Sequence, residues 1–318
     1  MKRNFKAILS WAIIIVIAYA AIFYLQWYGY INPFVMTTLV LIGINIMLAS
    51  GLNLIIGFSG QFSLGHAGFM AIGSYSTAVV LLGMPTYLGL VLGLLLGIVL
   101  SGLVALLVGI PTLRLKGDYL AIATLGISEI IRVLIVNMDS ITQGPSGLFG
   151  IPNLVTWPIV FVATVIVVVF LSNFINSASG RATLSIREDE IAAEAMGVNT
   201  TKYKVMAFVI GVCTASLAGG LYASYLQTIM PGDFSFMKSV DILIIVVFGG
   251  LGSLTGTVIS ATVLGIINMY LQSVGDLRMI IYSLALIIIM IFRPSGLLGT
   301  KELSLKRLFR KRERSDSQ

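Results

Sequence analysis

GRATLSIREDEIAAEAMGVNTTKYK (Gly180–Lys204) decides how the rest of this chain must be read. It holds eight of the 33 charged residues, and apolar runs long enough to cross a bilayer lie on both sides. A polar island so placed is a loop between membrane spans. Its centre, Ile186 to Met196, reads as one short helix with Glu188, Asp189 and Glu190 in the first turn, where the helix dipole favours acids. Ile191, Ala192, Ala195 and Met196 form a small apolar face, and Gly197 and Asn199 suit a helix stop. A short amphipathic helix at a membrane surface rests on headgroups or on protein. The acidic centre disfavours anionic lipid, so the expected support is a partner protein rather than solvent alone.

Composition agrees with that reading. The chain is 58% hydrophobic and 10% charged, with a mean hydropathy of +1.01, outside the range of soluble globular proteins. The expectation is an all-α integral membrane protein: one polytopic domain over residues 1–300, then a basic tail over 301–318. The net charge of +7 gathers at the ends of the apolar runs, which is a mark of topology and not of nucleic-acid binding. Cys213 is the only cysteine and His66 the only histidine, so disulfides, cysteine metal sites and most metal or proton-relay constellations are not expected. The sequence carries no G-x-x-x-x-G-K-[ST], G-x-S-x-G or H-E-x-x-H motif. No cofactor and no enzymatic activity of its own are expected.

Candidate spans are Ala7–Tyr28, Phe34–Ile56, His66–Leu82, Thr86–Ile110, Tyr119–Asn137, Trp157–Asn176, Tyr203–Gln227 and Ile280–Phe292. An A-x-A at Ala18–Ala20 resembles a signal-peptide cleavage site, but the apolar run continues to Tyr24, which favours an uncleaved first span. Met237–Leu271 is too long for one span, and its glycine-rich middle, GGLGSLTG (Gly249–Gly256), suggests two short crossings. Lys2, Arg3 and Lys6 place the N-terminus in the cytoplasm, and the basic tail belongs there too, so the number of crossings is even. Ten crossings, some short or broken, put 17 of the 20 Lys and Arg residues inside, together with the 180–204 loop. NMDSITQGPSGLFGIPNLVTW (Asn137–Trp157) then becomes an external structured turn or short lid.

Several polar residues fall within this apolar frame. Glu129 and Arg132 share one helix face about 15 Å into the membrane, as a pathway or interface pair or as an internally neutralised structural pair. Asn53, Gln61, Ser63 and His66 lie among Gly57, Gly60, Gly65 and Gly68, the signature of an unwound segment that lines a cavity or is buried in protein. FSGQFSLGHAG (Phe58–Gly68) and FGGLGSLTGTV (Phe248–Val258) share Phe, Gly, Ser and Leu at matched positions. The echo is either chance or a pair of broken helices around a translocation site, with Gly250 and Ser253 in the second. Glycine stripes such as Gly89, Gly93 and Gly97 read as close-packing surfaces. Asp233, Lys238 and Asp241 read as solvated loop charges at the outer rim, or as a docking point for an external partner.

Long ordered stretches resemble a known family: GLNLIIGFSGQFSLGHAGFMAIGSY (Gly51–Tyr75), LRLKGDYLAIATLGISEIIR (Leu113–Arg132), TQGPSGLFGIP (Thr142–Pro152), IREDEIAAEAMGVNTTKYKVMAF (Ile186–Phe208), the Phe248–Ala261 run, and RPSGLLG (Arg293–Gly299). They are similar to the membrane permease subunits of bacterial ABC importers for branched-chain amino acids. The Gly117–Arg132 block is similar to the M-type of the paired H-type and M-type subunits. The resemblance implies a bacterial inner-membrane protein, a homologous H-type partner, two ATP-binding ABC subunits and an extracytoplasmic substrate-binding protein. Ala192–Gly197 resembles the EAA-type loop that docks on the ATPase, with matches at Glu194, Ala195 and Gly197, although the Ile-x-Leu-Pro ending is absent. Arg187, Glu188, Glu190, Ala193, Glu194, Ala195 and Gly197 are therefore the expected coupling residues. Asn53, Gln61, Ser63, His66, Glu129, Arg132, Gly250 and Ser253 are the expected pathway residues. Permeases for urea, short amides and sugars look similar over parts of the chain, and an ion-coupled secondary transporter would also carry broken helices.

Overall fold

The computed structural model describes residues 5–29, 31–112, 115, 117–271, 284, 287, 296–299 and 302, with side chains from residue 13 onward. Its helices in chain order are α1 (Phe5–Trp27), α2 (Pro33–Asn53), α3 (His66–Gly83), α4 (Tyr87–Thr112), α5 (Asp118–Asn137), α6 (Asp139–Thr142), α7 (Trp157–Ile175), α8 (Ala178–Glu188), α9 (Glu190–Ala195), α10 (Thr200–Leu226), α11 (Phe236–Gly249) and α12 (Leu254–Leu271). Among the described residues, seven helices are long and apolar enough to cross a membrane. Among the described residues the protein is a multi-span chain, helical apart from two short strands. The candidate span Ile280–Phe292 lies outside the described residues.

In a bilayer a helix that is apolar on every side can face either lipid or protein, so burial and not apolarity separates the centre of the bundle from its rim. The apolar stretch formed by α2 and its continuation is 78% buried, against 17% for α7 at the rim. Asn199 begins α10 by accepting from the Lys202 amide through Oδ1 at 2.9 Å, and that helix runs through the centre beside α2, α3 and α4. Small residues let these backbones approach. A Cβ on Gly73 of α3 would stand 1.9 Å from the Ser216 carbonyl of α10, and Ser74 Oγ donates to the Gly219 carbonyl at 2.8 Å. In lipid, such packing and interhelical hydrogen bonds hold helices together in place of the hydrophobic effect. The glycine stripes have this role. Aromatic side chains join α1 to α7, with Tyr19 and Trp157 ring centroids 5.0 Å apart.

The 138–156 segment folds at one end of the bundle. Its strand Leu148–Phe149 pairs antiparallel with Thr228–Ile229, and Ser224 Oγ donates to the Pro152 carbonyl at 2.9 Å. At the other end the chain breaks twice. A π-helical turn, Leu54–Phe58, continues α2, and irregular backbone follows it to His66. The 237–271 stretch breaks at 250–253, between α11 and α12. Lys238 and Asp241, expected in a loop, lie instead in the first turns of α11, because helix starts at Phe236 directly after the Pro231–Phe234 turn.

Residues 296–299 and Glu302 strap this second break. The Leu297 amide donates to the Phe248 carbonyl at 2.8 Å, and Glu302 accepts from the Leu254 amide at 2.6 Å and the Thr255 hydroxyl at 2.8 Å. Glu302 thus satisfies the open amides at the start of α12, where a negative charge also suits the dipole. Glu302→Ala is expected to cost about 1 kcal/mol, the ordinary value of a helix cap. A modest fall in detergent melting temperature, with assembly retained, would check it.

Candidate functional site

The polar elbow between α7 and α10 is where sequence and structure first part. The single helix expected over Ile186–Met196 is two helices. Asp189 leaves helical geometry (φ −155°, ψ 107°), and its Oδ1 accepts from the Ile191 and Ala192 amides at 2.9 and 3.0 Å. An aspartate that can cap two amides competes with continuation of the helix. α8 therefore stops at Glu188, and α9 starts afresh at Glu190.

That turn divides the expected coupling residues into two sets. Arg187, Glu190 and Ala193 point into the protein. Arg187 Nη1 donates to the Gly57 carbonyl at 2.5 Å, and Glu190 Oε1 meets Lys204 Nζ at 2.6 Å. Ala193 is 5% exposed. Glu188, Glu194, Ala195 and Gly197 face outward, and beside them Ile191 and Met196 are 79% and 84% exposed. Gly197 has φ +83°, the left-handed helix stop that its position suggested. The outer surface presents two exposed apolar side chains among acids, on a small platform tied down from beneath.

The ties end on the two helix breaks, which lie against each other. Asn53, fully buried, receives the Gly252 amide on Oδ1 at 2.9 Å, and its Nδ2 donates to the Ser253 carbonyl at 3.0 Å and to Thr257 Oγ1 at 2.7 Å. The breaks come so close that a Cβ on Gly57 would lie 2.4 Å from the Gly252 nitrogen. The end of α2 and its π-turn, just before the first of the two echoing stretches, thus meets the second stretch in one junction. Gln61 Nε2 donates to the Lys204 carbonyl at 3.0 Å, tying the first break to α10.

The remaining expected pathway residues are distributed around this junction. Ser63 Oγ accepts from the Gly65 amide at 3.5 Å, and His66 opens α3 with its ring buried. Thr124 of α5 and Ser239 of α11, both missed in the sequence, accept from the Leu64 and Ala67 amides at 3.0 and 3.1 Å. Gly250 lies under the strap, where a Cβ would be 2.3 Å from the Gly299 carbonyl. Ser253 Oγ accepts from the Gly256 amide at 3.0 Å. Glu129 and Arg132 are not part of the junction. They pair at 2.8 Å on the outer face of α5, each about one-third exposed, among the exposed Ile122, Ile130 and Val133. Charges about 16 Å along a membrane helix face a wet cavity or another protein rather than lipid.

Residues 34–292 match the family described as branched-chain amino acid transport system / permease component. The high-affinity branched-chain amino acid transport system permease protein LivM of Salmonella typhimurium is 34% identical, over 83% of this chain and 69% of that protein. LivM of Escherichia coli is 33% identical over the same shares. LivH of Escherichia coli, a permease protein of the same transport system, is 30% identical over 47% of this chain and 48% of its own length. No solved structure matches. The many-helix bundle and the match over most of its length lead to one conclusion: the chain belongs to the branched-chain amino acid transport system permease family.

Proposed function

We propose that this chain is the transmembrane permease subunit of an ATP-driven importer for leucine, isoleucine and valine. ATP is hydrolysed by two separate ATP-binding subunits, a homologous H-type permease completes the membrane part, and an external binding protein delivers substrate. The chain crosses a bacterial inner membrane ten times with both termini in the cytoplasm. Residues 1–300 form the permease domain, and 301–318 a basic tail at the inner surface. The observation that carries this reading is the platform of α9: Ile191 and Met196 stand exposed outside, while Arg187 and Glu190 tie the elbow inward to the helix break. A surface so built can receive a push and pass it on. Similarity to LivM and, over a shorter stretch, to LivH supports both the substrate class and the paired permeases.

The mid-span Glu129–Arg132 pair keeps one second reading in view, an ion-coupled secondary transporter. Reconstitution in liposomes separates the two. The full complex, with leucine-loaded binding protein, should take up leucine only with ATP inside the ATPase compartment. Isoleucine and valine should compete, and urea or acetamide should not. Uptake driven by a proton or sodium gradient without ATP would overturn the importer. Competition by urea or amides alone would keep the importer and replace its substrate.

A further inference from the structure

The π-helical turn at Leu54–Phe58 and the arginine that touches it account for each other. In an α-helix the Gly57 carbonyl would accept from the Gln61 amide. Here the Ser59 amide donates to the Leu54 carbonyl at 3.1 Å, and the Gln61 amide reaches past to the Ile55 carbonyl at 3.0 Å. Wider winding of this sort diverts the ladder partner of Gly57, and a buried carbonyl left so is costly. Arg187 Nη1 fills the vacancy at 2.5 Å. The same guanidinium nitrogen lies 2.6 Å from where a Cβ on Gly252 would stand, so it is seated against both breaks at once. A second arm runs from Glu190 through Lys204 to the Gln61 side chain, so the elbow and Gln61 are joined by two routes.

We propose that Arg187 is the positioning residue of a helix-register switch: seated on the Gly57 carbonyl it holds residues 54–58 in the π-wound form, and withdrawn with the elbow it lets the turn rewind as α-helix. The proposal rests on the importer reading and deepens it. Either state satisfies the Gly57 carbonyl, by Arg187 or by the Gln61 amide, so the turn has two discrete arrangements and no stable intermediate between them. Rewinding removes one residue's excess from the turn, and each residue of helix carries about 100° of rotation. The break leading into α3 is re-aimed by that amount, and Asn53 carries the change to Gly252 and Ser253 of the second break. A plain structural tie would explain Arg187 bound to any backbone carbonyl. It would not explain why the carbonyl is one that the ladder has released.

The test is hydrogen exchange on the reconstituted complex, at rest and trapped with ATP and vanadate, beside transport measurements on Arg187→Leu and Arg187→Lys. In the wild type, exchange across residues 54–61 should differ between the two states by about tenfold or more, while α10 stays unchanged. Arg187→Leu should hydrolyse ATP while leucine carried per ATP falls about tenfold, and Arg187→Lys should restore most of that ratio by keeping a cationic donor. Identical exchange of the 54–61 segment in both states of a transporting wild type overturns the switch, even if the leucine variant does not assemble. An unchanged leucine-to-ATP ratio in Arg187→Leu also overturns it. A wild-type complex with no ATP-driven uptake at all would sink the importer reading itself, and the switch with it.

Discussion

Ile191→Asp combined with Met196→Asp should strip the ATP-binding subunits from a solubilised complex and leave the permease folded. Both side chains are almost entirely exposed, at 79% and 84%, so this chain's own packing gains little from them. Exposed substitutions of that kind shift stability by about half a kcal/mol or less. At an interface the same two side chains would bury fully, at about 1.5–3 kcal/mol each. Exchanging them for carboxylates beside Glu190 and Glu194 should therefore weaken docking by at least about a hundredfold. Ala193→Asp is the control, because Ala193 lies on the inner face at 5% exposed and a buried carboxylate there should reduce the yield of folded permease. Co-purifying ATPase activity and the melting temperature of the permease are the two readouts. A double variant that keeps its ATPase would show that the α9 surface is not the docking site.

That prediction draws on residues visible in the sequence and on a geometry that was not. Ile191 and Met196 were legible as an apolar face because helical periodicity is local, and α9 keeps it. In the sequence Asp189 looks like one more first-turn acid, whereas in the structure it ends one helix and caps the next. An aspartate suits both roles, and only the direction of the following chain decides between them. The split at 250–253 could be read from length and glycine content, since 35 residues exceed one span and helix breaks concentrate at glycine. The meeting of the two breaks could not, because Asn53 and Gly252 are about 200 positions apart and no local pattern records such a contact. The π-turn was hidden for a different reason: LIIGF at residues 54–58 suits an α-helix equally well, and the side chain that meets its released carbonyl, Arg187, comes from α8, 130 positions away. Local chemistry told which residues are polar in an apolar setting. It did not tell which of them are spent on one another.

Asn53 is the residue most fully spent, and Asn53→Asp is expected to damage the protein more than Asn53→Leu. In the leucine variant the Gly252 amide loses its acceptor, but the Ser253 carbonyl keeps the Thr257 amide and hydroxyl as donors at 3.1 and 2.9 Å. One buried orphan and two further lost hydrogen bonds amount to about 2–4 kcal/mol. The aspartate variant has the size and shape of asparagine, so it leaves no cavity, and one carboxylate oxygen still serves the Gly252 amide. Its other oxygen, however, is set where Nδ2 now donates, 3.0 Å from the Ser253 carbonyl oxygen. Two acceptors then face each other in a site with no exposure, and an ionised carboxylate there is costlier than a lost amide. The amide orientation is itself determined by its neighbours, because a backbone N–H can only donate to Oδ1 and a backbone carbonyl can only accept from Nδ2. Thermal unfolding of the three proteins in one detergent would read the order directly. Wild type above leucine above aspartate is the expected ranking. An aspartate variant as stable as wild type would mean that the two breaks do not meet through this side chain, and the junction on which the elbow pulls would lose its centre.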